Sequence, residues 1–191
     1  MVLIAGDIFD VDNALLENDT ELEKISEVFR GLRPKDGVYA VAGNHDPNTG
    51  NRLFKEFLDS SHIQLLDDEV KSLSAINLIG RTDAANNPRK PMEELRPLCD
   101  PAKPTVVIDH NPQHIQEAAA VDADLVLYGH THRGQFFPVT LFTKWANGKH
   151  YFYGHEIFGK THAIITSGVG FFQLPVRVGT SNEIADTQLQ A

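Results

Sequence analysis

Residues 38–46 read VYAVAGNHD, an apolar, β-branched run that stops abruptly at glycine and three polar side chains. Such a run reads as a strand buried on both faces, the usual condition in a parallel sheet. The same syntax recurs at 2–7 (VLIAGD), 106–110 (VVIDH) and 124–132 (DLVLYGHTH). Helical patterns lie between these runs. Asp19–Leu32 carries Leu22, Ile25, Val28, Phe29 and Leu32 at helical spacing, with Thr20 and Glu23 placed as a capping box. Further helices are expected over Asn51–Leu58 and over Pro112–Ala120, where proline suits the first helical position. Strands alternating with helices predict an α/β fold with a largely parallel sheet.

Ile63–Leu66 and Ala75–Ile79 read as strands joined by a polar turn. Residues 84–104 hold Pro88, Pro91, Pro97, Pro101 and Pro104, and read as a long surface connection with at most one short helix near Met92–Leu98. Ala163–Thr166, Phe172–Val178 and Glu183–Leu189 are predicted strands of a second sheet. With no repeat, low-complexity tract or composition break, residues 1–191 are expected to form a single domain.

The 191 residues are 41% hydrophobic and 23% charged, which is ordinary globular usage and excludes global disorder. No stretch approaches the roughly 18 apolar residues of a membrane span, and no basic segment followed by an apolar run marks a signal peptide. Net charge is −9, from 17 basic and 26 acidic residues, which argues against broad binding to nucleic acid or anionic membranes. A phosphate-bearing substrate stays open, because bound metal ions reverse the local field. The single cysteine, Cys99, excludes an internal disulfide and a thiolate metal site.

The four polar loops follow strand ends, where α/β sheets bind their ligands. They would deliver Asp7, Asp10, Asn44, His45, Asp46, His110, His130 and His132 to one rim. Imidazole, carboxylate and amide oxygen together suit Mn, Fe or Zn. In extended backbone His130 and His132 face the same side, so each could hold one ion of a pair. Asp7 could bridge two cations, and Asn44 offers a neutral oxygen. His45 would face the substrate, with Asp46 holding its ring. Plainer readings stand beside these: Asp7 or Asn44 as turn residues, His110 as a helix start, Asp10 as a structural carboxylate. Arg81 and Arg133 read as solvated arginines or phosphate contacts, and Asp83 as a turn acid or a substrate-side group. Trp145, Phe142, Tyr151, Phe152 and Tyr153 read as core packing or a substrate wall. His62, His114, His150, His155 and His162 lack a strand-end setting and read as structural or surface residues.

Taken together, Gly6-Asp7-Ile8-Phe9-Asp10 (GDxxD), Gly43-Asn44-His45-Asp46 (GNHD), the His110 strand end and Gly129-His130-Thr131-His132 (GHxH) resemble the calcineurin-like metallophosphoesterase superfamily. The matches span residues 6–132 in the family's order. GHTHRGQ with the downstream SGVG and PVRVG is similar to the bacterial stand-alone or membrane-tethered subgroup. The resemblance implies a four-layer α/β/β/α sandwich and a centre of two divalent metal ions (Mn, Fe or Zn). It implies hydrolysis of a phosphate mono- or diester by a metal-activated water. Asp7 would bridge the metals, with Asn44, His110 and His130 completing the second site and His132 binding the first. His45 would assist the leaving group, and Asp46 would orient His45. The family pattern opens with a D-x-H motif at the end of an earlier strand, and this chain lacks it. The expectation is therefore an N-terminally truncated sandwich without its first strand, whose first metal site keeps only Asp7 and His132. A chain truly starting at Met1 is expected to hold one metal and to hydrolyse weakly or not at all. The alternative is a catalytically degenerate scaffold or interaction module of the same fold. The expected partner is a phosphate-ester substrate, with a membrane tether through missing N-terminal sequence and no nucleic acid.

Overall fold

The computed structural model describes residues 1–9, 13–85 and 88–189. Its strands form two sheets. In the smaller, β1 (Val2–Ala5), β2 (Val38–Val41) and β3 (Ile63–Leu65) run parallel in the order β1-β2-β3. The larger contains β4 (Glu69–Ser72), β5 (Asn77–Gly80), β6 (Thr105–Ile108), β7 (Leu125–Tyr128), β8 (Gly154–Phe158) and β9 (Thr161–Ile165), in the order β4-β5-β6-β7-β9-β8. Its middle strands are parallel, and β4 and β8 close the edges antiparallel.

Alternation along each strand sorts side chains into three cores. Tyr39 and Val41 of β2 meet Leu78, Val106, Ile108 and Leu125 of the larger sheet, so this core lies between the sheets. Val38 and Ala40 point the other way, onto Leu16 of the one-turn α1 (Asn13–Leu16) and Phe54, Phe57 and Leu58 of α3 (Arg52–Ser60), with Leu22, Ile25 and Phe29 of α2 (Asp19–Arg30) alongside. Val107, Val126 and Tyr128 face outward onto Met92 and Leu95 of the short α4 (Met92–Leu95) and Ile115 and Ala118 of α5 (Ile115–Ala120). The result is helix, sheet, sheet, helix: the four-layer sandwich, with β1 at an edge of the smaller sheet.

Several local expectations are corrected. Asn18, not Thr20, caps α2, its side chain accepting from the Glu21 amide, and Val28 points to solvent. The region after β5 is a surface connection only in part, because Met92, Leu95 and Cys99 are buried under the larger sheet. Phe172–Val178 and Glu183–Leu189 form no strand beyond one bridge between Phe136 and Val178. Side chains hold the Phe172–Val178 segment instead. Buried Gln135 donates to the carbonyls of Phe172 and Leu174 and accepts from the Phe172 amide, and Arg177 donates to the carbonyls of His132, Ser167 and Gly170. A helix the patterning missed, α6 (Val139–Asn147), follows the GHTH loop and buries none of its residues. Trp145 and Phe142 are 85% and 67% exposed, so they are not core.

Candidate metal centre

The four strand-end loops come from both sheets, β1 and β2 on one side and β6 and β7 on the other, and meet across the sandwich seam. Two glycines permit the approach. A Cβ on Gly6, whose φ is +79°, would stand 2.6 Å from His110 Nδ1 and 2.7 Å from the Gly43 amide, and a Cβ on Gly43 would collide with the Asp7 carboxylate. Asp7 follows with φ 52°, a left-handed conformation that aspartate tolerates better than most residues.

The loops are fastened to one another. Asp7 Oδ1 accepts the His45 amide at 2.9 Å. Asp46 lies beneath, its two carboxylate oxygens accepting the amides of Phe9 (2.9 Å) and Gly43 (2.8 Å), and burial pushes its pKa up to about 6 against those two bonds. Phe9 in turn wedges its ring against Phe57 and Phe54. Asp46 thus braces the 7–9 and 43–46 segments, a role that sequence spacing did not suggest.

The remaining donors converge. His110 Nε2 lies 3.1 Å from Asp7 Oδ2 and 3.0 Å from Asn44 Oδ1. His130 Nδ1 lies 2.9 Å from the same Asn44 oxygen and 3.2 Å from His110 Nε2. One ligand atom each from Asp7, His110 and His130 falls within 4.8 Å of the others. Metal–donor bonds of about 2.0–2.2 Å at right-angled to tetrahedral geometry space the donors by roughly 2.8–3.6 Å, so these separations suit a single ion. Asp7 Oδ2 is buried and faces His110 Nε2, which has no proton to give while the neutral ring donates through Nδ1 to the Ala5 carbonyl, and His132 Nδ1 is buried without a hydrogen bond among the described residues. Orphaned acceptors inside a polar cluster are costly unless a cation takes them. The donor set therefore fits a hard-to-borderline divalent ion.

Electrostatics agree for two of the donors; in His110 burial lowers the pKa, but the Asp7 carboxylate outweighs it and raises the ring above its ordinary value. Burial, then the neighbouring His110, pull His130 down to about 4, so it is a neutral donor at neutral pH. His132 is also lowered, chiefly by burial. Asp7 sits below the ordinary carboxylate value: burial raises it, but the His110 ring and the His45 amide outweigh that. Metal ligation needs neutral imidazole and ionised carboxylate, and these are the states favoured for His130 and Asp7.

The GHTH loop is not extended. His130 and His132 have φ of 66° and 48°, and His132 opens a 3-10 turn, His132–Gly134. Left-handed turns, not strand alternation, aim these imidazoles. His132 lies close enough to Asp7, His110 and His45 for each to act on its charge. His45 is half-buried, with its ring 5.2 Å from that of Phe172, and Phe172 also lies 6.1 Å from the His132 ring. Asp10 lies outside the described residues.

Other candidates separate cleanly. Arg81 is fully buried, not solvated, and donates to Asp68 at 2.5 Å and Glu117 at 3.0 Å. Arg133 covers the Tyr153 ring at 4.2 Å. Asp83 is buried, with one oxygen accepting the Ala85 amide and the other unbonded among the described residues. Patterning missed Phe172, Gln135 and Arg177 as site-shaping residues. Gln135 and Arg177 stood in the GHTHRGQ and PVRVG segments, which were the signal available.

Two packed sheets whose strand-end loops converge on carboxylate, amide and imidazole donors define an α/β sandwich with a candidate metal site at its seam. The pattern of the Calcineurin-like phosphoesterase family matches residues 1–134, and the chain belongs to that family. An uncharacterized metallophosphoesterase of Helicobacter pylori is 32% identical over 99% of this chain and 50% of its own length. Escherichia coli Phosphodiesterase YaeI is 30% identical over 89% of this chain and 63% of its own. A bovine transmembrane protein with metallophosphoesterase domain is 28% identical over 100% and 46%. The chain thus spans about half the length of the first curated relatives it matches. A solved Staphylococcus aureus protein described as a 5'-nucleotidase superposes with TM-score 0.53 at 14% identity, covering 82% of this chain and 37% of the other, which is a likeness of fold.

Proposed function

We propose that this chain carries the catalytic centre of a divalent-metal-dependent phosphoesterase. One ion would be held by Asp7, Asn44, His110 and His130, and a second would be reached by Asp7 and His132. The observation that carries this reading is the buried, unbonded Asp7 Oδ2 beside His110 Nε2, Asn44 Oδ1 and His130 Nδ1. Bound there, Mn, Fe or Zn would supply Lewis acidity, lowering the pKa of a water and neutralising charge on a phosphoryl group. The chain's own residues supply position. His45, on the loop tied to Asp7 through its amide, would give a proton to the leaving oxygen. Asp46 would keep His45 in place through the backbone it braces. Family membership and the relative named a phosphodiesterase support a phosphate ester as substrate. A membrane tether is part of the proposal, supported by relatives named transmembrane. No helix among the described residues is long and apolar enough to cross a membrane.

The test is hydrolysis of p-nitrophenyl phosphate and bis-p-nitrophenyl phosphate with added Mn or Zn, beside calorimetric metal titration. Metal-dependent turnover that Asp7→Asn abolishes supports the reading. Tight metal binding without turnover of either ester favours the scaffold alternative.

A further inference from the structure

Residues 125–182 contain one of the chain's 26 acidic residues, Glu156, and five of its 17 basic ones, Arg133, Lys144, Lys149, Lys160 and Arg177. That stretch carries +4 in a chain of −9. It also holds most of the exposed large apolar side chains. On α6, Leu141, Phe142 and Trp145 fall on one face at helical spacing, all well exposed, with Lys144 on the same helix and Lys149 in the turn that follows it. Phe137, just before α6, is exposed and its amide donates to the Val178 carbonyl, which joins α6 to the exposed run Phe171, Phe172, Leu174, Val176 and Val178. Gln135 binds the run's backbone and Arg177, within it, donates to the carbonyls of His132, Ser167 and Gly170, while Phe171, Leu174, Val176 and Val178 stay exposed. Its Phe172 ring borders His45 and His132.

Aromatic and aliphatic side chains in water, flanked by lysines in a stretch whose one acid, Glu156, is paired with His150, match an interfacial lipid contact. The global negative charge argued against anionic membranes, but it is unevenly spread, and this face is the exception. A protein partner needs no sparing of acids across 58 residues, whereas an anionic bilayer repels each acid it meets. We propose that α6 and the 171–178 segment form an interfacial surface that lays this face on an anionic lipid bilayer, bringing the mouth of the metal centre to the headgroups. The contact is made by this chain itself and is separate from any tether.

Trp145 is the chain's single tryptophan, so its fluorescence reports this face alone. With vesicles of equimolar phosphatidylglycerol and phosphatidylcholine, its emission should shift to the blue and be quenched by chain-brominated lipid. Vesicles of phosphatidylcholine alone should bind several-fold more weakly. Lys144→Gln and Lys149→Gln should each weaken binding about fivefold, while Lys35→Gln and Lys55→Gln, outside the acid-poor stretch, should not. Leu141→Ser with Phe142→Ser should abolish sedimentation with vesicles and leave the circular dichroism unchanged, because neither side chain is buried. Unchanged emission with anionic vesicles overturns the proposal. So does a blue shift that appears without lipid as protein concentration rises, which would mean that a second copy covers the face. Both readouts are independent of turnover, so a failed hydrolysis assay leaves them standing.

Discussion

His110 Nδ1 donates to the carbonyl of Ala5 at 2.7 Å, joining the end of β6 to the end of β1 across the two sheets. A carbonyl only accepts, so the bond fixes which nitrogen carries the proton and turns Nε2 toward Asp7 and Asn44. Ala5 is thereby a backbone partner of the candidate metal centre. Replacing His110 by Ala should lower affinity for Mn or Zn by at least about tenfold, the lower end of what losing even an outer partner costs. Calorimetric titration measures it, and unchanged affinity would place the ion elsewhere.

Gly43→Ala should weaken the same site without touching a donor atom. The added methyl would occupy the space of the Asp7 carboxylate and backbone. Asp7 must move, so metal affinity should fall while the far-UV spectrum stays native. An unaltered titration curve would show that the loops have slack the geometry does not suggest.

His45→Gln is expected to cut turnover roughly 10²- to 10⁴-fold, the usual contribution of a general acid, with metal content intact by elemental analysis. Its amide, not its ring, ties the loop to Asp7. Loss of metal together with activity would make His45 a ligand-positioning residue instead.

Arg81 shows what breaking a buried pair should cost. Its guanidinium and the Asp68 carboxylate are 1% and 5% exposed, and Asp68 also accepts the Thr82 and Lys90 amides. Arg81→Ala would strand that carboxylate, lowering unfolding free energy by about 3–5 kcal/mol. Urea denaturation would register it as an earlier midpoint at unchanged slope.

Glu183 ties the C-terminal segment to β9, accepting from the Thr166 hydroxyl, the Ser167 amide and the Tyr153 hydroxyl. Burial pushes its carboxyl up, but these bonds outweigh it and leave the group below the ordinary glutamate value. A lowered native pKa adds stability that is present above the unfolded value and lost as pH falls through the native one. Glu183→Gln should therefore flatten the acid side of the stability profile. Urea midpoints taken from about pH 6 down to about pH 3 would show parallel curves for the two proteins if this is wrong.

The strand-to-polar-loop junctions were legible because β2, β6 and β7 are buried on both faces, so each is a continuous apolar run ending where the chain meets the site. The antiparallel edge strands of the larger sheet leave no such trace. β4 reads EVKS and β8 reads GHEIF, sequences shaped by solvent on one side. The C-terminal runs misled for the opposite reason. Phe172–Val178 is apolar and alternating, yet Gln135 takes the Phe172 and Leu174 carbonyls and Arg177 anchors the segment to the carbonyls of His132, Ser167 and Gly170, so among the described residues it pairs with no sheet. The donor residues could be named from their motifs, but their aim could not. The positive φ of Asp7, His130 and His132 is a property of packing between sheets, and no spacing rule carries it.

The seam itself has a consequence for how the molecule would answer to its ion. Asp7 and Asn44 follow strands of one sheet, His110 and His130 strands of the other, so neither half of the chain owns a coordination sphere. An ion bound there would act as a rivet between two plates. Its binding energy would be spread over their mutual registry, and chelation would be felt as a loosening of the whole sandwich before it was felt as a missing reagent.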